Sequence, residues 1–312
     1  MKFAIIRRNG LGDFVSATIP VCNYIKDNYP DSEFLLFLSK QNTPLVKYFF
    51  PNAFVYTFGS GNKYFETIKA ALKFRYLAPE IGIAPTPTYN KLNGTFLKLL
   101  GATDIYGIRG TKSFADRFFT KLLNSSIEDH VALQNIKIFD PNIERVPQKY
   151  YPKINKNIIK DCKIKLSPSR KIFIEVSSHR KTSQLTNVNL ARILNSANKY
   201  SDFSVVISLV KKDMEKALSL QKALQMPSVI ALSPTLDDLL SLINQTDVFL
   251  LGDGGMAHIA GALDKSGVAV YGETSVKRWA VLSDKVTHFY DKEDVNNIDL
   301  GLIEENLLQK LQ

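Results

Sequence analysis

The 312-residue chain is 45% hydrophobic, enough to bury two ordinary cores, and its length favours two domains over one. Its two cysteines, Cys22 and Cys162, stand at no metal or redox spacing, which excludes a disulfide framework or zinc site and fits a reducing cytoplasm. The net charge of +10 lies in the first half: 24 Lys and Arg face 13 Asp and Glu up to Lys165, against 16 and 17 thereafter.

The chain opens with the apolar strand pattern 2–7, the turn Asn9-Gly10-Leu11-Gly12-Asp13 and a helical stretch over 13–28. Arg7 and Arg8 interrupt any leader-like apolar core, and no run approaches the ~18 apolar residues that span a bilayer. A dinucleotide fingerprint needs a third glycine near position 15 and an acid after the second strand. Val15, and Ser39 and Lys40 after the strand 33–38, rule out a nicotinamide site. Asp13 reads most simply as a helix N-cap, and a carboxylate there is also placed to serve as a general base.

Further strands are expected at 53–57, 80–84 and 103–107, with helices at 41–49, 62–76, 90–100 and 112–124. Basic residues recur through this half, at Lys63, Lys69, Lys73 and Arg75, at Arg109, Lys112, Arg117 and Lys121, and from Lys149 to Lys165. Phe65, Phe74, Tyr76, Phe114, Phe118 and Phe119 are interleaved with them. Such a surface suits anionic lipid headgroups or a phosphorylated glycolipid. It would also attract nucleic acid, although neither a helix-turn-helix nor an RNA-recognition signature is visible.

The alternation restarts at 171–176 and continues with strands at 203–209, 228–232, 247–251, 267–271 and 286–290. This places a domain boundary between Pro147 and Arg170 and implies α/β architecture with parallel, doubly wound sheets. The first of these strands runs into Ser177-Ser178-His179-Arg180-Lys181-Thr182-Ser183, where either Arg180 or Lys181 is placed to neutralise a departing diphosphate. Asp213 and Glu215 open a helix within reach of a nucleotide ribose, though acids in a first helical turn need no further reason. The strand 247–251 enters Gly252-Asp253-Gly254-Gly255-Met256-Ala257-His258, whose helix start is a site for a phosphate or diphosphate, with the His258 imidazole available to an anion. A plain strand-to-helix junction capped by Asp253 accounts for the same residues.

Taken together, the two glycine junctions resemble the ADP-heptose:lipopolysaccharide heptosyltransferase family, glycosyltransferase family 9. Gly12-Asp13 and Thr18-Ile19-Pro20 match its opening, and Asp253 to Ala262 matches its Asp-(Thr/Ser)-Gly-x-x-His-x-Ala-x-Ala motif, with Gly254 in the hydroxyl position. Ser233 to Ile243 is similar to its Ser-Leu-x-Glu-Leu-x-x-Leu-Ile helix, and Val270 to Thr274 to its Phe-Gly-Pro-Thr turn, with Glu273 replacing proline.

The resemblance implies a GT-B fold of two Rossmann-like domains facing across a cleft. An acceptor-binding domain over 1–165 would carry Gly12, Asp13, Arg109 and Lys112. A nucleotide-sugar domain over 166–312 would hold the donor through Arg180, Lys181, Ser183, Asp213, Glu215, Asp253, Gly254, Gly255 and His258, and the C-terminal helix near 300–311 is free to pack back on the first domain. The implied reaction is an inverting transfer from ADP-heptose to a lipopolysaccharide core at the cytoplasmic face of the inner membrane, with Asp13 as base. No cofactor, no metal and no nucleic-acid partner are expected, since the chain has no Asp-x-Asp pair to hold a divalent ion. A non-catalytic sugar-nucleotide-binding or membrane-scaffold protein of the same fold, and a same-fold transferase or epimerase with another nucleotide sugar, stay open.

Overall fold

Strand β1 (Lys2–Arg7) is apolar from Phe3 to Ile6 because it runs through the middle of a sheet covered on both faces. The computed structural model describes residues 1–8, 10–161, 170–177, 180–233 and 235–312, and for Lys181 only the backbone. Asn9, Cys162, Lys163, Lys165, Ser178, His179 and Pro234, which belong to the stretches read above, lie outside the described residues. The chain divides into two compact units, Met1–Pro152 and Lys153–Gln312.

In the first unit β2 (Glu33–Leu38), β3 (Phe54–Thr57), β4 (Ile81–Ile83), β5 (Asp104–Arg109) and β6 (Lys121–Asn124) join β1 in a six-stranded sheet of order β3-β2-β1-β4-β5-β6. Every pairing is parallel. Its helices are α1 (Leu11–Asp13), α2 (Ile19–Asn28), α3 (Val46–Phe49), α4 (Lys63–Lys73), α5 (Lys91–Leu100) and α6 (Val131–Lys137), with a π-helical segment Phe14–Thr18 joining α1 to α2. Ala4 and Ile6 pack with Ala70, Ala71 and Phe74 of the α4 segment and Phe96 and Leu97 of α5. Phe3 belongs to the opposite face, where it meets Tyr29 and Phe139. Alternate residues of one strand thus serve two different cores.

The expected helix 112–124 is a correction: Phe114–Phe118 forms a 3-10 turn, and Lys121–Asn124 is the edge strand β6. Phe119 lies over Gly107 and Gly94, where a Cβ would come within 2.5 and 2.9 Å of its ring. That anchor, with Thr120 N–H donating to the Ile105 carbonyl at 2.9 Å, draws the segment onto the sheet edge against its helical propensity. Helix α6 has no counterpart in the sequence reading.

The second unit repeats the plan with β7 (Arg170–Glu175), β8 (Phe203–Leu209), β9 (Ser228–Leu232), β10 (Val248–Gly252), β11 (Ser266–Tyr271) and β12 (Val286–Tyr290), ordered β12-β11-β10-β7-β8-β9 and again parallel throughout. Its helices are α7 (Asn187–Ala197), α8 (Met214–Ala223), α9 (Leu236–Asn244), α10 (Gly255–Ala262), α11 (Val276–Trp279) and α12 (Leu300–Leu311). The C-terminal helix α12 buries Ile303, Leu307 and Leu311 in the core of the second unit, with Leu190 and Leu194 of α7.

Both sheets change direction beside their first strand, between β1 and β4 and between β7 and β10. In open parallel sheets the carboxyl ends at such a reversal frame a crevice into which ligands bind.

Candidate functional site

At the reversal of the first sheet, β1 ends on Arg7, a fully buried guanidinium. A charge in that position requires partners. Its Nη1 donates to the Pro85 carbonyl just beyond β4, and its Nη2 lies 2.9 Å from Asp13 Oδ2. Burial pulls the Arg7 pKa below its ordinary value, and the Asp13 carboxylate pulls it back.

Asp13 sits inside the helix (φ −62°, ψ −35°) and makes no side-chain capping bond, so the N-cap reading gives way to an ion pair. The N-cap is Gly10, again without a side-chain bond. Asp13 keeps 29% of its side chain exposed. A carboxylate oriented by a fixed cation and still open to solvent can take a proton from a hydroxyl. Gly12, helical and half-buried, precedes it, and the π-helical segment begins immediately after it, a local departure that recurs at functional sites.

Arg109 ends β5 and turns inward. Its Nε and Nη2 donate to Asn124 Oδ1 at 3.1 and 2.7 Å, and its Nη1 lies 3.4 Å from Asp116 Oδ2. The Tyr89 hydroxyl also donates to Asp116, and this bond first, then Arg109, holds that carboxyl below its usual range. Lys112 is exposed in the loop that follows.

At the reversal of the second sheet, the 3-10 turn Lys181–Ser183 lies across the ends of β10 and β11. A Cβ on Gly252 would stand 2.0 Å from the Ser183 carbonyl oxygen, and one on Gly272 2.4 Å from that of Thr182. Glycine is required at both positions by this close approach. Ser183 is buried as the spacer, its Oγ accepting from Gly272 N–H at 3.3 Å. Arg180, half-exposed, reaches Asp253 Oδ2 and donates to Thr274 Oγ1 at 2.9 Å, while Thr182 Oγ1 donates to Glu273 Oε1 at 3.0 Å.

Asp253 is therefore the partner of Arg180 and not the cap of α10. The cap position belongs to Gly254, without a side-chain bond. Gly254 is extended, and a Cβ there would find its nearest neighbour at 3.9 Å, so the backbone would accept a side chain at this position. Gly255 opens α10.

His258 is buried, and burial, then His288 and Arg180, push its pKa down to about 4. The imidazole is therefore neutral near pH 7, and any contact it makes with an anion is through a ring N–H and not through a charge. His288, likewise held down to about 4 by burial, accepts from Val281 N–H at 3.1 Å. An unfolded histidine binds a proton near pH 6.5, so each contributes stability that is lost as pH falls from about 6.5 towards 4, up to about 3 kcal/mol. Glu175 runs the other way. Burial, then Asp213, raises its pKa to about 7, so on acidification the native state takes up its proton first and is stabilised. Acidification should therefore destabilise the second unit on balance, and Glu175→Gln, which removes the compensating proton, should steepen the loss. Urea titrations followed by the single tryptophan, Trp279, test this between pH 4 and 7.5.

Asp213 accepts from Ser177 Oγ at 2.6 Å, and that hydroxyl accepts from Val210 N–H at 3.0 Å, tying the ends of β7 and β8. Glu215 is exposed on the outer side of α8 with Leu218, Ser219 and Lys222, away from this network. The sequence reading did not single out Arg7, Glu175 or Thr274. The signal for the first two was a charged residue closing an otherwise apolar strand.

The sequence model of a family described as Glycosyltransferase family 9 (heptosyltransferase) matches residues 171–301. A search of curated proteins gave no match. Among solved structures, an Escherichia coli ADP-heptose lps heptosyltransferase II superposes with a TM-score of 0.79 at 17% identity, over 100% of this chain and 98% of that one. The glycosyl transferase family 9 protein of Veillonella parvula gives 0.81 at 12%, over 99% and 97%. The E. coli heptosyltransferase WaaC with ADP gives 0.75 at 12%, over 99% and 100%. These likenesses establish the GT-B fold. The sequence resemblance to family 9 is matched by that family model over residues 171–301, in the second unit.

Proposed function

We propose that this protein is a glycosyltransferase that moves a heptose, or a related sugar, from ADP-heptose or another nucleotide sugar to a hydroxyl of a lipopolysaccharide core acceptor, with inversion at the anomeric carbon. The observation that carries the reading is the Arg7–Asp13 pair, a half-open carboxylate oriented at the carboxyl end of a central strand. Asp13 takes the proton of the acceptor hydroxyl, whose oxygen attacks the anomeric carbon as the bond to the diphosphate breaks on the opposite side.

Charge developing on the departing diphosphate meets Arg180, held by Asp253 and Thr274, and the positive end of α10. This cation and this helix dipole take the part a divalent ion plays elsewhere. Among the described residues no group of three or more His, Cys, Asp or Glu side chains could hold one. The ADP in the WaaC structure supports an adenine nucleotide as donor. The basic first half supports an acceptor anchored at an anionic membrane surface, to which the protein binds peripherally from the cytoplasm. No helix among the described residues is long and apolar enough to cross a membrane.

A thermal-shift series with ADP, UDP, GDP and CMP, EDTA present throughout, tests the donor side. ADP at a hundredfold its Kd should raise Tm by about 5–10 °C, since a ligand selective for the native state stabilises it by mass action. A response to UDP or GDP instead would discard the heptose donor, and silence with every nucleotide would discard the transferase mechanism.

A further inference from the structure

Helix α4 carries two apolar faces, and only one is used by the core. Thr67, Ala70 and Ala71 are buried, with Phe74 just beyond, at the spacing that seats a helix on a sheet. On the other side Tyr64 is 67% exposed, Phe65 66%, Ile68 41%, Leu72 54% and Tyr76 74%. Tyr64, Ile68 and Leu72, at i, i+4 and i+8, form a stripe along α4, with Phe65 beside it and Tyr76 in the 3-10 turn that follows, whereas exposed apolar residues normally occur singly.

The exposed charges beside the stripe are Lys63, Lys69, Lys73 and Arg75. The only acid of the segment, Glu66, folds back over Gly59 and Gly61, whose Cβ positions lie 3.2 and 3.3 Å from its carboxylate. The helix is also firmly seated. Asn62 Oδ1 accepts from Tyr64 and Phe65 N–H at 3.0 and 3.2 Å, and Arg8 donates to the Lys63 carbonyl at 3.0 Å and to Thr67 Oγ1.

We propose that α4 is the segment by which the protein docks on an anionic lipid surface. Tyr64, Phe65, Ile68, Leu72 and Tyr76 enter the headgroup–acyl boundary, and Lys69 and Lys73 pair with lipid phosphates. Charge decides the occupant. A second copy would bring the same lysines against each other, whereas an anionic bilayer offers apolar depth and negative charge together. Tyrosine and phenylalanine with flanking lysine is the composition such an interface favours. The proposal rests on the membrane acceptor for its purpose only, because docking needs neither donor nor acceptor.

The test is co-sedimentation of the full chain with phosphatidylcholine vesicles, with and without one-third phosphatidylglycerol. Binding is expected on the anionic vesicles, weak on the neutral ones, and weakened by salt. Lys69→Gln with Lys73→Gln should lower the partition coefficient by about 25-fold, since one lysine near such a surface is worth about fivefold. Phe65→Ser with Leu72→Ser should lower it at least tenfold. All four positions are exposed, so the stabilisation by ADP is expected to persist in both variants, which separates this result from failure of the donor reading. Absence of binding to anionic vesicles, binding indifferent to both double variants, or a dimer in sedimentation that the serine variant dissolves would overturn the proposal.

Discussion

Replacing Asp13 with asparagine should lower kcat by about 10²–10⁴-fold, the range that loss of a general base costs, while leaving the Kd for ADP within about twofold. Asparagine has nearly the same shape and can still accept from Arg7, so the effect isolates the negative charge and its affinity for a proton. The substitution also leaves the buried Arg7 guanidinium without its counter-charge. That should cost about 1–3 kcal/mol, moderated because Asp13 is partly solvated, and kcat should be compared at a temperature where circular dichroism shows both proteins folded. A variant with normal turnover would remove Asp13 from the chemistry, and one with normal stability but no ADP affinity would reassign it to donor binding.

Gly252→Ala should be the most damaging small substitution in the second unit. The new methyl carbon would stand 2.0 Å from the Ser183 carbonyl, and that neighbour is backbone in a turn, unable to swing aside as a side chain would. The turn must lift, at a cost of about 1–3 kcal/mol or more, and Arg180 at its start moves away from Asp253 and Thr274. The expected outcome is a lowered Tm together with at least a tenfold loss of ADP affinity by calorimetry. Gly254→Ala, two residues on with open space around its Cβ, should leave the Tm of the ligand-free protein unchanged and so controls for loss of glycine as such. Equal Tm values for both alanine variants would show that the turn does not lean on β10.

The fold was legible because both sheets are built from short apolar runs separated by helical patterns. The strands expected at 2–7, 33–38, 203–209, 228–232 and 286–290 have the observed bounds. Failure came where a distant contact overrode local preference, as at Lys121–Asn124, where Phe119 is drawn over Gly107. The positions of the candidate site residues were readable for the same reason that the strands were, since a turn after a buried parallel strand sits at the ligand end of the sheet. Their partnerships were not. Nothing local in Gly12-Asp13 names Arg7 as the group that fixes the carboxylate, and nothing in Gly252-Asp253 names Arg180. The first pair depends on how the turn after β1 folds the helix back over the strand end, and the second forms only when the chain returns 73 residues later. The state of His258 was equally hidden, because its low pKa comes from burial, with His288 and Arg180 adding to it.

Arg7 and Arg8 show how little freedom the chain has to change its length here. Successive strand residues point to opposite faces, so Arg7 reaches Asp13 and the Pro85 carbonyl while Arg8 reaches the first turn of α4. Inserting one residue between Ile6 and Arg7 would turn Arg7 towards the α4 face and take from the carboxylate the cation that orients it, while Arg8 would lose its place against α4. Compensation elsewhere could not repair both at once. Across divergent relatives built on this plan, the loop tips should vary in length, whereas the count of residues from the end of β1 to the carboxylate should stay fixed.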